Sequence, residues 1–267
     1  MPIEFIDLIY YILSGAGVGL MVGLTGVGGG SLMTPLLIMM NIPYHIAIGT
    51  DLLYAAITKA SGVIVHHKRG TIEWRIVNSM LLGSLPASFL TALVIRIYFD
   101  DAESYRSILT LSLGVMLMLT AAVLLLKDKI KQFSFQQAHQ QEKTENKKKK
   151  YIITFISGCF LGIFVTLSSV GAGAFGTAIL MILFTRLPMM HIVGTDLAHA
   201  VPLTFVAGMS HFLLLGNIDF LLLAGLLIGS IPAVTIGARL GSRLPEKFMY
   251  NLLASILMLF GAIFVFS

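Results

Sequence analysis

Residues 8–50 contain no Asp, Glu, Lys or Arg, and neither do residues 151–185. Runs of 43 and 35 residues without a charge cannot cover a water-facing surface. They belong in a bilayer, where a spanning helix needs about 20 mostly apolar residues. Both runs are too long for one helix, and each contains a glycine-rich break. The first is Gly26-Val27-Gly28-Gly29-Gly30 and the second is Gly171-Ala172-Gly173. The further charge-free intervals 76–95, 107–126, 197–218, 220–238 and 248–267 each fit one helix.

Composition narrows the function classes. Only 12% of the chain is charged and 57% is hydrophobic, against about 25% charged in a soluble domain. A soluble enzyme is excluded on that ground. A nucleic-acid-binding domain is excluded despite the net charge of +5, because residues 127–150 hold all of it, with eight Lys against three acidic groups. The single cysteine, Cys159, lies in an apolar run and supports neither an internal disulfide nor a Cys-based metal site. The start, MPIEFIDLIYY, has no basic segment and no small-residue cleavage site, and reads as retained helix.

Hydropathy and the breaks predict ten helices: 4–24, a short 31–41, 44–65, 76–96, 105–126, 151–168, a short 174–186, 190–214, 219–238 and 247–266. The third and eighth follow Pro43 and Pro188. The two sets of five match because the chain repeats. GVGGGSLMTPLLIMMNIPYHIAIGTDLLYA (26–55) resembles SVGAGAFGTAILMILFTRLPMMHIVGTDLAHA (169–200), at an offset of 143 that becomes 145 after a two-residue insertion. Gly49-Thr50-Asp51 then matches Gly194-Thr195-Asp196, and His66 matches His211. GTIEW (70–74) matches GNIDF (216–220), and Gly83-Ser84-Leu85-Pro86 matches Gly229-Ser230-Ile231-Pro232, at offset 146. The expected fold is an all-α polytopic membrane protein of two homologous repeats, 1–126 and 151–267, joined by a basic linker at 127–150. The linker is too poor in apolar residues to fold by itself.

The positive-inside rule puts that linker in the cytoplasm. The loop with Lys68, Arg69 and Arg75 is then inside too, and Asp100-Asp101-Ala102-Glu103 is outside. If the short helices count as crossings, each repeat crosses five times, both termini lie outside, and the second repeat is inverted, as in many secondary transporters. Re-entrant short helices would instead give parallel repeats.

Charge within a membrane helix is costly and marks function. Asp51, Lys59 and Asp196 qualify. Asp51 and Lys59 lie two turns apart on one helix face. Asp196 repeats Asp51, but Thr204 stands where Lys59 would recur, so the cation occurs once. One fixed positive charge suits an anion. The bland alternative for the aspartates is a helix cap or a buried hydrogen-bond acceptor. His199 follows Asp196 by three positions and His191 precedes His199 by eight, which suggests a proton relay. His66, His67 and His139 read as solvated. The glycine breaks open the two short helices, whose free N–H groups and positive ends attract anions. The candidate anion site is therefore Gly28, Gly29, Gly30, Ser31, Thr34 and Lys59 with Gly171, Gly173 and Thr177, and the candidate coupling groups are Asp51, Asp196 and His199. Ser168 and Ser169 add hydroxyls. No metal or cofactor is called for, and no GxxxxGK[ST] sequence for nucleotide binding occurs.

A glycine-rich element, then proline, then a GTD turn, repeated across a basic loop, resembles the sulfite exporter family of TauE/SafE type. The resemblance covers roughly 15–126 and 155–266. It implies a bacterial inner-membrane permease that exports sulfite, sulfonates or related small anions. Gly26, Gly28, Gly29 and Gly30, with Gly171 and Gly173, match the glycine elements, and Gly49-Thr50 and Gly194-Thr195 match the turns. The second element departs from the pattern, with Ala172 in place of Gly29 and Ala178 in place of Pro35.

The leading expectation is a secondary transporter, proton- or potential-driven. Its partners are a small anionic substrate and the lipid bilayer, a homodimer is an allowed state, and no nucleic acid is bound. A passive anion channel or membrane partner subunit is the alternative. An intramembrane aspartyl protease needs two membrane aspartates in different protonation states, but both sites here read GTD rather than GxGD.

Overall fold

The computed structural model describes residues 5–25, 30–140, 147–241 and 245–266. They form ten α-helices: α1 (Phe5–Thr25), α2 (Gly30–Met39), α3 (Tyr44–Lys68), α4 (Trp74–Tyr98), α5 (Arg106–Gln140), α6 (Lys147–Ser168), α7 (Ala174–Leu183), α8 (Met189–Ser210), α9 (Phe220–Gly241) and α10 (Glu246–Phe266). A π-helical turn, His211–Leu215, extends α8. It stops at Gly216, whose φ of 69° is the left-handed conformation that ends helices. The ten helices match the expected ten, with one substantive difference. The expected unfolded linker is helical over 127–140 and again from Lys147. Lys, Gln and Ala are good helix formers. This segment contains no Gly or Pro and prolongs a helix that is already nucleated, so it needs no apolar core of its own.

Eight of the helices are long and apolar enough to cross a membrane. Large apolar side chains such as Leu82 (69% exposed), Ile97 (65%) and Leu213 (70%) cover their outer faces. That surface suits lipid and no aqueous solvent. The chain is a multi-pass membrane protein. α2 and α7 have ten residues each, about 15 Å of helix, half of what a hydrocarbon core requires.

Helix packing obeys the sequence repeat. α1 lies along α9 and α6 lies along α4. In both pairs glycine brings backbone against backbone. A Cβ on Gly15 would strike Leu226 and one on Gly19 would strike Ser230, while the repeat-mates Gly158 and Gly162 face Met80 and Ser84. Small residues at such contacts are how membrane helices approach closely. Numbers rise together along both pairs, so each runs parallel. α3 and α8 are repeat-mates and run antiparallel, because Gly62 meets Leu197 while Gly208 meets Leu53. α5 and α10 are also antiparallel, with Gly114 against Val265 and Gly261 against Met118. Each repeat thus holds the other by an exchanged contact. The Glu73 amide donates to Thr195 Oγ1 (3.0 Å), and the Asp219 amide donates to Thr50 Oγ1 (3.2 Å).

These directions determine what the short helices do. α3 runs parallel to α9, since Thr50 pairs with Asp219 at the start of α9. α1 is parallel to α9 as well, so α1 and α3 point the same way. The chain must therefore travel back between Thr25 and Tyr44. By the same reasoning it travels back between Ser168 and Met189, because α6 and α8 both run parallel to α4. α2 lies within the first return, and the glycine turn with α7 carries the second.

Candidate functional site

Two threonine–aspartate pairs lie in the interior. Thr34 Oγ1 on α2 donates to Asp51 Oδ2 on α3 (2.5 Å), and Thr177 Oγ1 on α7 donates to Asp196 Oδ2 on α8 (2.9 Å). Each pair ties a short helix to the long helix that follows it, at equivalent positions of the two repeats. The Oδ1 atoms of both aspartates are buried without a partner. Neither aspartate caps a helix: α3 begins at Tyr44 and α8 at Met189, and Pro43 and Pro188 occupy the N-cap positions.

The two halves then diverge. Around the second pair there is a cavity of ≈ 120 Å³, lined in part by Lys59, Gly173, Thr177 and Asp196, and reaching Lys127 and Tyr250. Lys59 is 6% exposed and its Nζ donates to the Ala172 carbonyl (2.5 Å), in the glycine turn before α7. Lys59, on α3 of the first repeat, thus serves the glycine turn of the second. Thr204, its repeat-mate, is satisfied on its own helix by the Ala200 carbonyl (2.9 Å). The turn uses left-handed backbone at Ser169 (φ 58°), Gly171 (φ 112°) and Gly173 (φ 150°). No side chain caps α7, so its positive end faces the cavity without a side-chain acceptor upon it.

Of the candidate anion-site residues, Lys59, Gly173 and Thr177 converge on this cavity. Gly171 shapes the turn behind it. Ser31 and Thr34 are buried in the first repeat, where the Ser31 hydroxyl lacks a partner. Gly30 opens α2, while Gly26, Gly28 and Gly29 lie outside the described residues. Ser168 closes the end of α6 by bonding the Phe164 carbonyl (2.6 Å) and accepting from the Val170 amide (3.2 Å). The expected relay through His191 is corrected. His191 Nδ1 bonds Glu73 Oε1 (2.9 Å) at the start of α8, while His199 Nε2 bonds Ser84 Oγ on α4 (2.9 Å). Among the described residues no group of three or more His, Cys, Asp or Glu is arranged to hold a metal ion.

Comparison with known proteins decides the family. Residues 11–264 match the family model of the sulfite exporter TauE/SafE. The chain belongs to the TauE/SafE family. A probable membrane transporter protein of Bacillus subtilis, YjnA, is 37% identical over 250 residues, covering 94% of this chain and 96% of the relative. A second from that organism, YdhB, is 27% identical over 91% of this chain and 96% of its own length. One from Methanocaldococcus jannaschii is 24% identical over 98% of this chain and 97% of the relative. No solved structure matches.

In this TauE/SafE chain, some residues at the site were missed by reasoning from the sequence. Gly176 is one: a Cβ there would fall on Asp196 Oδ1. Its repeat-mate is Met33, and that asymmetry was the available clue. Lys127 and Tyr250 are others. The Lys127 ammonium sits 3.7 Å from the centre of the Tyr250 ring, an attractive cation–π geometry that joins α5 to α10 beside the cavity.

Proposed function

We propose that this chain is a secondary transporter, working as an exporter, of a small anion such as sulfite, a sulfonate or a related sulfur oxyanion. The supporting observation is the convergence of Lys59, Thr177, Asp196 and the uncapped start of α7 on one small cavity. An ammonium and a helix N-terminus attract a small oxyanion, and the Thr177 hydroxyl, which donates to Asp196, is released to donate to the anion once that carboxyl is protonated. Charge balance supplies the coupling. With Asp196 ionised the Lys59 charge is cancelled, and an arriving anion adds an uncompensated negative charge. With Asp196 protonated the site holds one positive charge and the anion neutralises it. Anion binding and carboxyl protonation therefore favour each other. A sulfite dianion carried with one proton keeps a net charge of −1, which an inside-negative potential drives outward.

The antiparallel repeat-mates support an inverted repeat, with the basic end of α5 in the cytoplasm. The family's printed name motivates sulfite as the first substrate to try. Uptake of [35S]sulfite into proteoliposomes is the test. Saturable flux that rises with acidity supports the reading. Flux linear in concentration points to a channel, and absence of flux overturns the proposal.

A further inference from the structure

The cavity beside Asp196 leaves the polar groups around Asp51 unexplained. Asp51 is fully buried, and among the described residues its Oδ1 has no hydrogen-bond partner. Two more buried oxygens share that condition. Ser31, 7% exposed, lies one turn before Thr34 on α2, and Thr34 is the residue that bonds Asp51. Ser169, 2% exposed, stands close to the Asp51 carboxyl from the turn that follows α6, but its Oγ completes no hydrogen bond. Three separate segments, α2, α3 and the turn, thus carry unpaired oxygens around one carboxyl. Burying such atoms unpaired costs stability, and packing alone does not call for them.

The other repeat shows that the scaffold does not require these hydroxyls. Ala174 stands at the position of Ser31, and Gly26 at the position of Ser169. Hydroxyls gather only at the first aspartate, as the ammonium serves mainly the second. Among the described residues the buried carboxylates and ammonium groups are Asp51, Asp196 and Lys59, two negative charges against one positive. Lys59 interacts more strongly with Asp196 than with Asp51. Asp51 is therefore the carboxyl short of a counter-charge, and a buried carboxylate without one is costly. The helix ends agree. α6 ends at Ser168, next to Ser169, and the partial negative charge of a helix C-terminus favours a cation. The turn between α6 and α7 sets that negative end beside Asp51 and the positive start of α7 at the anion cavity.

We propose that Asp51, Ser31, Thr34 and Ser169 form a binding site for a sodium ion. Hard cations take oxygen ligands. One carboxylate with neutral hydroxyls balances a single positive charge, so no cluster of carboxylates or histidines is required. Thr34 gives its hydroxyl hydrogen to Asp51 and keeps its oxygen lone pairs for the ion. A proton on Asp51 would also cancel the charge, but it engages one acceptor and leaves the other oxygens unpaired. A cation draws on them together. Helix C-terminal ends at breaks in membrane helices serve sodium in this way. The ion ties α2 and α3 of the first repeat to the turn of the second, whose Ala172 carbonyl holds Lys59. The site goes beyond the transport reading, because ion binding is measured without flux.

The test is equilibrium binding of radioactive sodium to the purified full chain in detergent, with choline chloride holding the ionic strength constant. Melting temperatures in sodium chloride and in choline chloride accompany it. The variants are Asp51→Asn, Ser31→Ala and Ser169→Gly. The two serine variants install what the mirrored positions already carry, and glycine accepts the left-handed backbone at Ser169 (φ 58°). They are therefore expected to fold even where Asp51→Asn does not. Wild type is expected to bind sodium saturably and to melt higher in sodium than in choline. Affinity is expected to fall at least roughly ten-fold in each serine variant, the lower bound for losing a group that supports a metal site. Binding is expected to vanish in Asp51→Asn. Wild-type affinity in both serine variants overturns the site. So does the absence of saturable binding in wild type, which would leave a proton on Asp51. A wild type that moves sulfite but binds no sodium overturns this site alone, and one that binds sodium but moves no sulfite overturns the transport reading alone.

Discussion

Lys59 Nζ donates to the carbonyl of Ala172, a residue 113 positions away in the other repeat's glycine turn. That bond fixes the ammonium beside the start of α7. Hydrogen bonds to charged groups contribute about 1.5–3 kcal/mol, so Lys59→Ala is expected to weaken sulfite binding roughly ten-fold or more. Lys59→Arg keeps the charge and should restore part of it. Thr204→Ala, at the mirrored position, should leave affinity unchanged. Sulfite titrations of all three in one detergent decide the matter, and equal affinities in Lys59→Ala and wild type would move the site elsewhere.

Asp196 lines the cavity and Asp51 does not. Wild-type flux should rise as pH falls, because protonation removes the negative charge that opposes the anion. Asp196→Asn imitates the protonated form and should hold affinity high and flat across pH. Asp51→Asn should keep the wild-type slope. Flux measured against pH for both variants separates them, and a normal slope in Asp196→Asn would make that carboxyl structural.

Gly176 allows Asp196 Oδ1 to lie against the α7 backbone. Alanine is the better helix former by about 1 kcal/mol, and Met33 occupies the mirrored position. The added Cβ must still push the buried Asp196 carboxyl off Thr177, so Gly176→Ala is expected to reduce sulfite flux and to lower thermal stability despite the gain in helix propensity. Reduced stability with intact flux would show that the glycine serves packing alone.

Topology offers an independent check. Reporter fusions within 132–146 should read as cytoplasmic, and a fusion after Ser267 as external. A cytoplasmic C-terminus contradicts the inverted arrangement and leaves the transporter class intact.

Much of this molecule was legible in its sequence because membrane helices write their length and polarity directly into composition. Thr34 and Thr177, with Asp51 and Asp196, align across the repeat, and the structure makes the same bond at both. The partner of Lys59 was not legible. Helical periodicity places a residue on a face, whereas the Ala172 carbonyl reaches Lys59 through the packing of distant helices. The fate of residues 127–140 was misread for another reason. Their polarity argues against an independent fold, but a helix entering from α5 needs only propensity to continue.

The exchanged pairing of α1 with α9 has a consequence for biogenesis. α1 is made first, yet the partner that covers its glycine face is synthesised some two hundred residues later. At about 5–20 residues per second, α1 waits on the order of ten to forty seconds in lipid with that face uncovered. α6, in contrast, finds α4 already in place when it enters the bilayer. During that interval the glycine face of α1 meets lipid instead of α9. A ribosome stalled before α9 should leave α1 accessible to crosslinking along Gly15, Gly19 and Gly23.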